Sequence, residues 1–167
     1  MAVEYSLLMQ KTKVGSTVKS SLSDFGFAVC DIPWPSDKTQ EVAKREWPGE
    51  HGEDAYVPPS GLKLQAYDLE VEFCYKGNIN TAYAAYKTLR NYLIGASGDG
   101  AELKIYDPYW QRGCNKARLL EINDPDPHRT NVDENVSVKV KFRVADPMTE
   151  IGAGTNTSGE IISLGAV

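Results

Sequence analysis

From Val136 to Val144 every second residue is a bulky apolar one: Val136, Val138, Val140, Phe142 and Val144 alternate with Ser137, Lys139, Lys141 and Arg143. Side chains point to opposite faces along a strand, so this spacing requires an extended segment with one face in a core and the other in water. Wound as a helix, the same residues would scatter their apolar groups around the whole surface. A single half-buried strand has no stability by itself, so the chain must supply neighbours that cover its apolar face and pair its edges.

Several segments can do this. Leu62 to Tyr75 alternates as well, but its phase slips by one at Ala66-Tyr67, which points to a β-bulge or a change of sheet, as at the corner of a barrel or sandwich, with one long bent strand the better fit. Ala101 to Tyr106 and Gln111 to Ile122 read as strands separated by Asp107-Pro108. Asp124 to Glu134 reads as a polar hairpin loop leading into the last strand, which Asp146-Pro147 ends. Upstream, Val3 to Thr12 is extended, and Ser23 to Val29 is a turn into a strand that Pro33 and Pro35, flanking Trp34, terminate. One helix is expected, from an N-cap at Asn80 or Thr81 to Gly95, because Ala82, Ala85, Tyr86, Leu89, Tyr92 and Leu93 recur at three- and four-residue spacing. Its apolar stripe is one face wide and should lie against a sheet. The expected class is mainly β (α+β): an antiparallel β-sandwich or split β-barrel with one packed α-helix.

A chain of 167 residues with 41% apolar content can bury one core. Residues 1–150 are expected to form a β-rich domain. The stretch 33–61, rich in Pro, Gly and charge and holding one short candidate strand at Glu41 to Trp47, reads as an excursion outside the main sheet. Residues 151–167 are rich in Gly, Ser and Thr and read as a C-terminal extended arm. The adhesive residues of that arm, Ile161, Ile162 and Leu164, could add a strand to a neighbouring subunit.

The formal charge of −5 and the lack of any basic run argue against a surface that grips DNA phosphates. No apolar run approaches the ~20 residues that span a bilayer, and the N-terminus MAVEYSLLMQ lacks the basic flank and long apolar segment of a signal peptide. A soluble protein without membrane contact is expected. Cys30, Cys74 and Cys114 are odd in number, about 40 residues apart and without a CxxC pair, and they read as buried free thiols in a reducing compartment.

Motifs that carry chemistry are missing. His51 and His128 lie in separate polar loops without HxH or HExxH spacing, and Asp124, Asp126, Asp133 and Glu134 lack the ladder of a calcium loop. The glycine-rich Gly95 to Gly100 follows a helix, so it offers no helix N-terminus to a phosphate. No enzyme is expected, and no catalytic residue, cofactor or metal. The loop aromatics Trp34, Trp47, Tyr56, Tyr109 and Trp110 are candidates for contact with another protein. Carbohydrate binding and capping of the domain's own core remain alternatives for them.

The order of these parts resembles the N-terminal, ring-forming domain of siphophage distal tail proteins. Gly49-Glu50-His51-Gly52 stands where that family has a Gly-Arg-Asp-Gly-like turn before the long strand. Leu93-Ile94-Gly95 matches its Leu-x-Gly-like helix end, and Asp146-Pro147 its last strand's exit. Asp24-Phe25-Gly26-Phe27 is similar to the family's early aromatic-glycine turn. The resemblance implies a fold shared with tail-tube proteins and a homohexameric ring at the baseplate, between the tail tube and the tail-tip or hub proteins. It also implies a virion component assembled in the bacterial cytoplasm, with a neutral to acidic channel that passes DNA without binding it specifically; the Asp124 to Glu134 loop is a candidate lining. Because the sequence stops soon after Pro147, the galectin-like C-terminal domain of many members is not expected. The alternatives are a tail-tube or tail-completion ring subunit and, from another class, a monomeric carbohydrate-binding β-module.

Overall fold

The computed structural model describes residues 5–129 and 134–167, so Val3 and Asp133 lie outside the described residues. Strands β1 (Leu8–Lys11), β2 (Lys19–Ser20) and β3 (Phe27–Asp31) precede a small ribbon of β4 (Lys44–Arg45) and β5 (Asp54–Ala55). Then follow β6 (Tyr67–Tyr75), helix α1 (Ile79–Ile94), β7 (Leu103–Asp107), β8 (Arg112–Ile122), β9 (Asp126–Arg129), β10 (Glu134–Thr155) and β11 (Ile161–Ala166).

The strand marked by the valine alternation is the spine of the molecule. β10 pairs in turn with β9 through Glu134 to Ser137, with β6 through Ser137 to Val144, with β8 through Val140 to Glu150 and with β11 through Ile151 to Thr155, always antiparallel. The main sheet runs β2-β1-β7-β8-β10-β6-β3 and curls into a half-barrel. Its ends approach each other, for the Val29 N–H donates to the Tyr5 carbonyl at 2.9 Å, joining the β3 edge to the residues that lead into β1. The mainly β, antiparallel fold with one packed helix is thus as expected.

Inside the curl, Val138, Val140, Phe142 and Val144 meet Leu69, Val71 and Phe73 of β6 and the buried stripe Tyr86, Leu89 and Leu93 of α1. The helix starts a little earlier than the sequence suggests. Asn78 is the N-cap, its Oδ1 accepting from the Asn80 N–H at 2.9 Å, while Thr81 instead donates its hydroxyl back to the Asn78 carbonyl at 2.8 Å. The helix ends at Gly95 in the left-handed region (φ 74°), where a Cβ would stand 2.6 Å from the Gly100 carbonyl oxygen.

Four expectations need correction. The slip at Ala66-Tyr67 is the start of β6 and a change of pairing, not a bulge within one long strand, because Leu64 bridges to Thr39 in a separate ribbon described below. Asp146-Pro147 does not end the last strand. The proline has no N–H to give the ladder, and the register with β8 shifts between Asp146 and Glu150. The Asp146 carboxylate fills the gap by accepting from the Met148 and Thr149 N–H groups, each at 3.1 Å, so the Asp-Pro pair builds a bulge and the strand runs on.

The boundary at 150 therefore falls inside β10, and residues 151–167 are not a free arm. They turn through residues 156–160 and return as β11, with the Asn156 side chain accepting from the N–H groups of Ser158 and Glu160. Leu7, Met9 and Ile105 face the main core, so Leu8 and Tyr106, which alternate with them, face outward. The hairpin covers that outer face, burying Ile151 and Leu164 against Leu8 and Tyr106. Gly113 permits the approach, since a Cβ there would lie 2.8 Å from the Ile151 Cβ. Low apolar content misled the reading because two large residues suffice when another surface supplies the rest of the cluster.

The cysteine reading is corrected too. Cys30 and Cys74 form a disulfide between β3 and β6, with Cα atoms 6.0 Å apart, and only Cys114 is a buried free thiol. Adjacent antiparallel strands bring residues together at a separation no sequence spacing announces.

Candidate functional site

Three of the five loop aromatics come together. The tight β7–β8 turn, in which Gln111 takes a positive φ of 54°, projects Tyr109 and Trp110 into solvent at 68% and 65% exposure. Trp34, half-buried just beyond β3, lies beside them, and Tyr5 completes the group with its ring 5.2 Å from that of Tyr109 in an edge contact. Together they line a cleft of about 250 Å³ that Asp31 and Asp107 also border. Asp107 is buried and its Oδ1 accepts from the Tyr109 N–H at 3.0 Å, which fixes the turn. No Lys, Arg or His is among the described residues lining the cleft; Arg112 stacks on Trp34, 4.5 Å from the ring centre. Tyr5 carried no loop signal, because it sits in what reads as an ordinary first strand.

The other two aromatics, Trp47 and Tyr56, belong to the excursion, and here the structure shows more order than composition promised. Gln40 N–H donates to the Lys63 carbonyl and Gln65 N–H to the Lys38 carbonyl, both at 2.7 Å, while Tyr56 N–H donates to the Ala43 carbonyl at 2.9 Å. With the pairs Lys44↔Ala55 and Arg45↔Asp54 these bonds make one two-stranded ribbon from about residue 38 to 65, turning at Trp47 to Glu53. Near the tip the Arg45 guanidinium lies 3.8 Å over the Trp47 ring, and Trp47 Nε1 donates to Asp54 at 2.9 Å. Not one residue between Asp31 and Asp68 is buried. An isolated two-stranded ribbon is marginally stable in water, and this one uses its described hydrogen bonds within itself.

Of the expected adhesive residues of the C-terminus, Leu164 is buried and Ile161 half-buried within the chain's own hairpin, so they are not free to pair with a neighbour; Ile162 is 56% exposed.

Two buried titratable groups are held in their neutral forms. Burial pushes the Cys114 thiol up to about 12, so it is protonated at neutral pH, and burial likewise raises the neighbouring Tyr67 hydroxyl. No group of three His, Cys, Asp or Glu side chains among the described residues is placed to hold a metal ion. No helix among them is long and apolar enough to cross a membrane.

No protein-family model matches the sequence, and no curated protein matches it. Solved structures do. The SPP1 Dit protein, described as a paradigm of the hub adsorption apparatus in phages infecting Gram-positive hosts, superposes with a TM-score of 0.56 over 87% of this chain at 19% identity. The chain shares the fold of that protein. A chain of the phage p2 baseplate in its activated conformation superposes with a TM-score of 0.56 over 93% of this chain at 9% identity. The alignments cover 52% and 48% of those two chains, so this chain spans about half the length of the proteins it matches. At the level of fold, the resemblance to siphophage distal tail proteins read from the motif order is borne out.

Proposed function

We propose that this chain is a structural subunit of a phage tail, one of several copies, most simply six, that close a ring at the baseplate between the tail tube and the tail-tip proteins. The observation that carries the reading is the ribbon of residues 38–65: a folded domain with its own closed core holds out a two-stranded arm in which no residue is buried, with aromatic and charged residues at its tip. Such an arm gains stability by lying on a second surface, and a ring offers each copy the same surface on the next. The shared fold with hub and baseplate proteins supports the tail setting.

DNA passing through the ring should meet no continuous belt of free cations. On the solvent face of the sheet, Lys139, Lys141 and Arg143 stand directly opposite Glu72, Glu70 and Asp68, and Lys141–Glu70 and Arg143–Asp68 form salt bridges at 3.3 and 3.0 Å. The Asp124 to Glu134 segment, of which Asp126–Arg129 is strand β9 and residues 130–133 lie outside the described residues, remains a second candidate lining.

The aromatic cleft favours one further reading, a carbohydrate-binding module. The mass of the native particle separates the two. A ring subunit at micromolar concentration gives a single multiple of the 18.4 kDa chain, alone or with tail-tip partners. A persistent monomer that binds an oligosaccharide array would replace the ring by the module.

A further inference from the structure

At the far end of β1 from the aromatic cleft, the chain turns through Lys13, Val14 and Gly15. The turn is rigidly built: Ser16 N–H donates to the Lys13 carbonyl at 3.2 Å, the Gln10 side chain donates to the Ser16 carbonyl at 2.8 Å, and Gly15 sits at φ 84°. On its tip Val14 is 99% exposed, an apolar side chain held out in water on an ordered support. Lys13 and Lys19 flank the same depression, and neither is in a salt bridge among the described residues. Asp99, which also lines it, interacts electrostatically with Lys11.

The cleft at the other end of β1 is the complement of this knob. It is apolar where Tyr5, Trp34, Tyr109 and Trp110 wall it, negative where Asp31 and Asp107 border it, and wide enough at about 250 Å³ for a valine side chain. Roughly eight residues of extended chain, about 25 Å, separate knob from cleft, so one copy cannot satisfy itself. We propose that the Lys13-Val14-Gly15 turn of one copy seats in the aromatic cleft of a second copy, with Val14 among the rings and Lys13 against Asp31. Because knob and cleft are different patches, the contact is heterologous: each copy gives its knob to one neighbour and its cleft to another, the arrangement that repeats around a closed ring. The inference rests on the ring reading and specifies which surfaces meet.

Sedimentation of the full chain tests it, comparing Val14→Asp, Lys13→Glu, Asp31→Lys and the double variant Lys13→Glu with Asp31→Lys. All these positions are exposed, so melting temperatures should match the parent. Each single change should raise the concentration for half-assembly at least tenfold, and the double exchange, which restores the charge pair in reverse, should recover most of the loss. If the parent assembles and all variants assemble equally well, the knob-and-cleft contact is wrong while the ring stands. If the parent is monomeric throughout, the ring reading falls and this inference falls with it.

Discussion

Lys11 Nζ donates to the Gly100 carbonyl at 2.6 Å, reaching from β1 to the loop that leaves α1. The same ammonium donates to the Tyr92 carbonyl in the helix's last turn and lies 4.4 Å from the centre of the Tyr92 ring. The helix has no basic residue of its own in that turn, so a strand residue supplies the cation that the helix C-terminus favours. Replacing Lys11 by Met keeps the aliphatic stem, takes the side-chain donor from the Gly100 carbonyl and leaves the Tyr92 carbonyl with the Gly95 N–H alone, which should cost about 1–3 kcal/mol in urea denaturation.

Lys11 also carries a pH signature. Burial lowers its pKa below 10.5, so between that lowered value and 10.5 the unfolded chain binds the extra proton, and the contribution of this group to stability rises with pH. Tyr92 and Cys114 act oppositely: burial raises both to about 12, and their contributions, full below 10.0 and 9.0, are lost as pH rises through the folded values. The stability gap between the parent chain and Lys11→Met should therefore widen as pH rises through the lowered value toward 10.5. A gap that narrows over that range would contradict the buried placement of the ammonium.

Thiol titration reads the cysteine arrangement directly. In the native protein Cys114 is buried and protonated, so no thiol should react rapidly at pH 8; denaturation without reductant should expose one, and reduction three. Three reactive thiols in denatured, unreduced protein would show that Cys30 and Cys74 are not joined. The bridge closes a loop over a separation of 44 residues, and the chain-entropy relation gives it roughly 4 kcal/mol. Cys30→Ala should lower stability by about 2–4 kcal/mol.

The terminal hairpin is part of the folded unit. Leu164→Ala should cost about 2–5 kcal/mol, the usual range for a buried leucine. Ending the chain at Thr155 should cost more, because it also exposes Ile151, Tyr106 and Leu8. A truncated chain that melts like the parent would contradict the place of residues 156–167 in the folded unit.

The parts legible in sequence were those whose signal is local. The Val136 to Val144 alternation found the spine of the sheet, and the Ala82 to Leu93 stripe found the helix and its buried face. What escaped was set by partners distant in the chain. The Cys30–Cys74 pairing depends on β3 lying beside β6. The burial of Leu164 depends on the outward faces of β1 and β7, and the order of the excursion depends on residues 38–45 finding 54–65. Among the candidate interface residues, loop position picked out five aromatics, of which Trp34, Tyr109 and Trp110 do converge. Nothing local marked Tyr5 or Lys11, whose roles come from the residues they meet across the sheet.

Comparing assembly with stability in a ribbon-deleted chain tests the central claim most directly. Residues 37–65 would be replaced by a short Gly-Ser connection, leaving Trp34 and the start of β6 in place. Since no residue between Asp31 and Asp68 is buried, the deleted chain should unfold within a few degrees of the parent. Light scattering at micromolar concentration should show the parent as a closed multiple of the chain and the deleted form dissociating at concentrations at least tenfold higher. A deleted chain that assembles as well as the parent, or a parent that stays monomeric with and without tail-tip proteins, would contradict the ring-forming role of the ribbon.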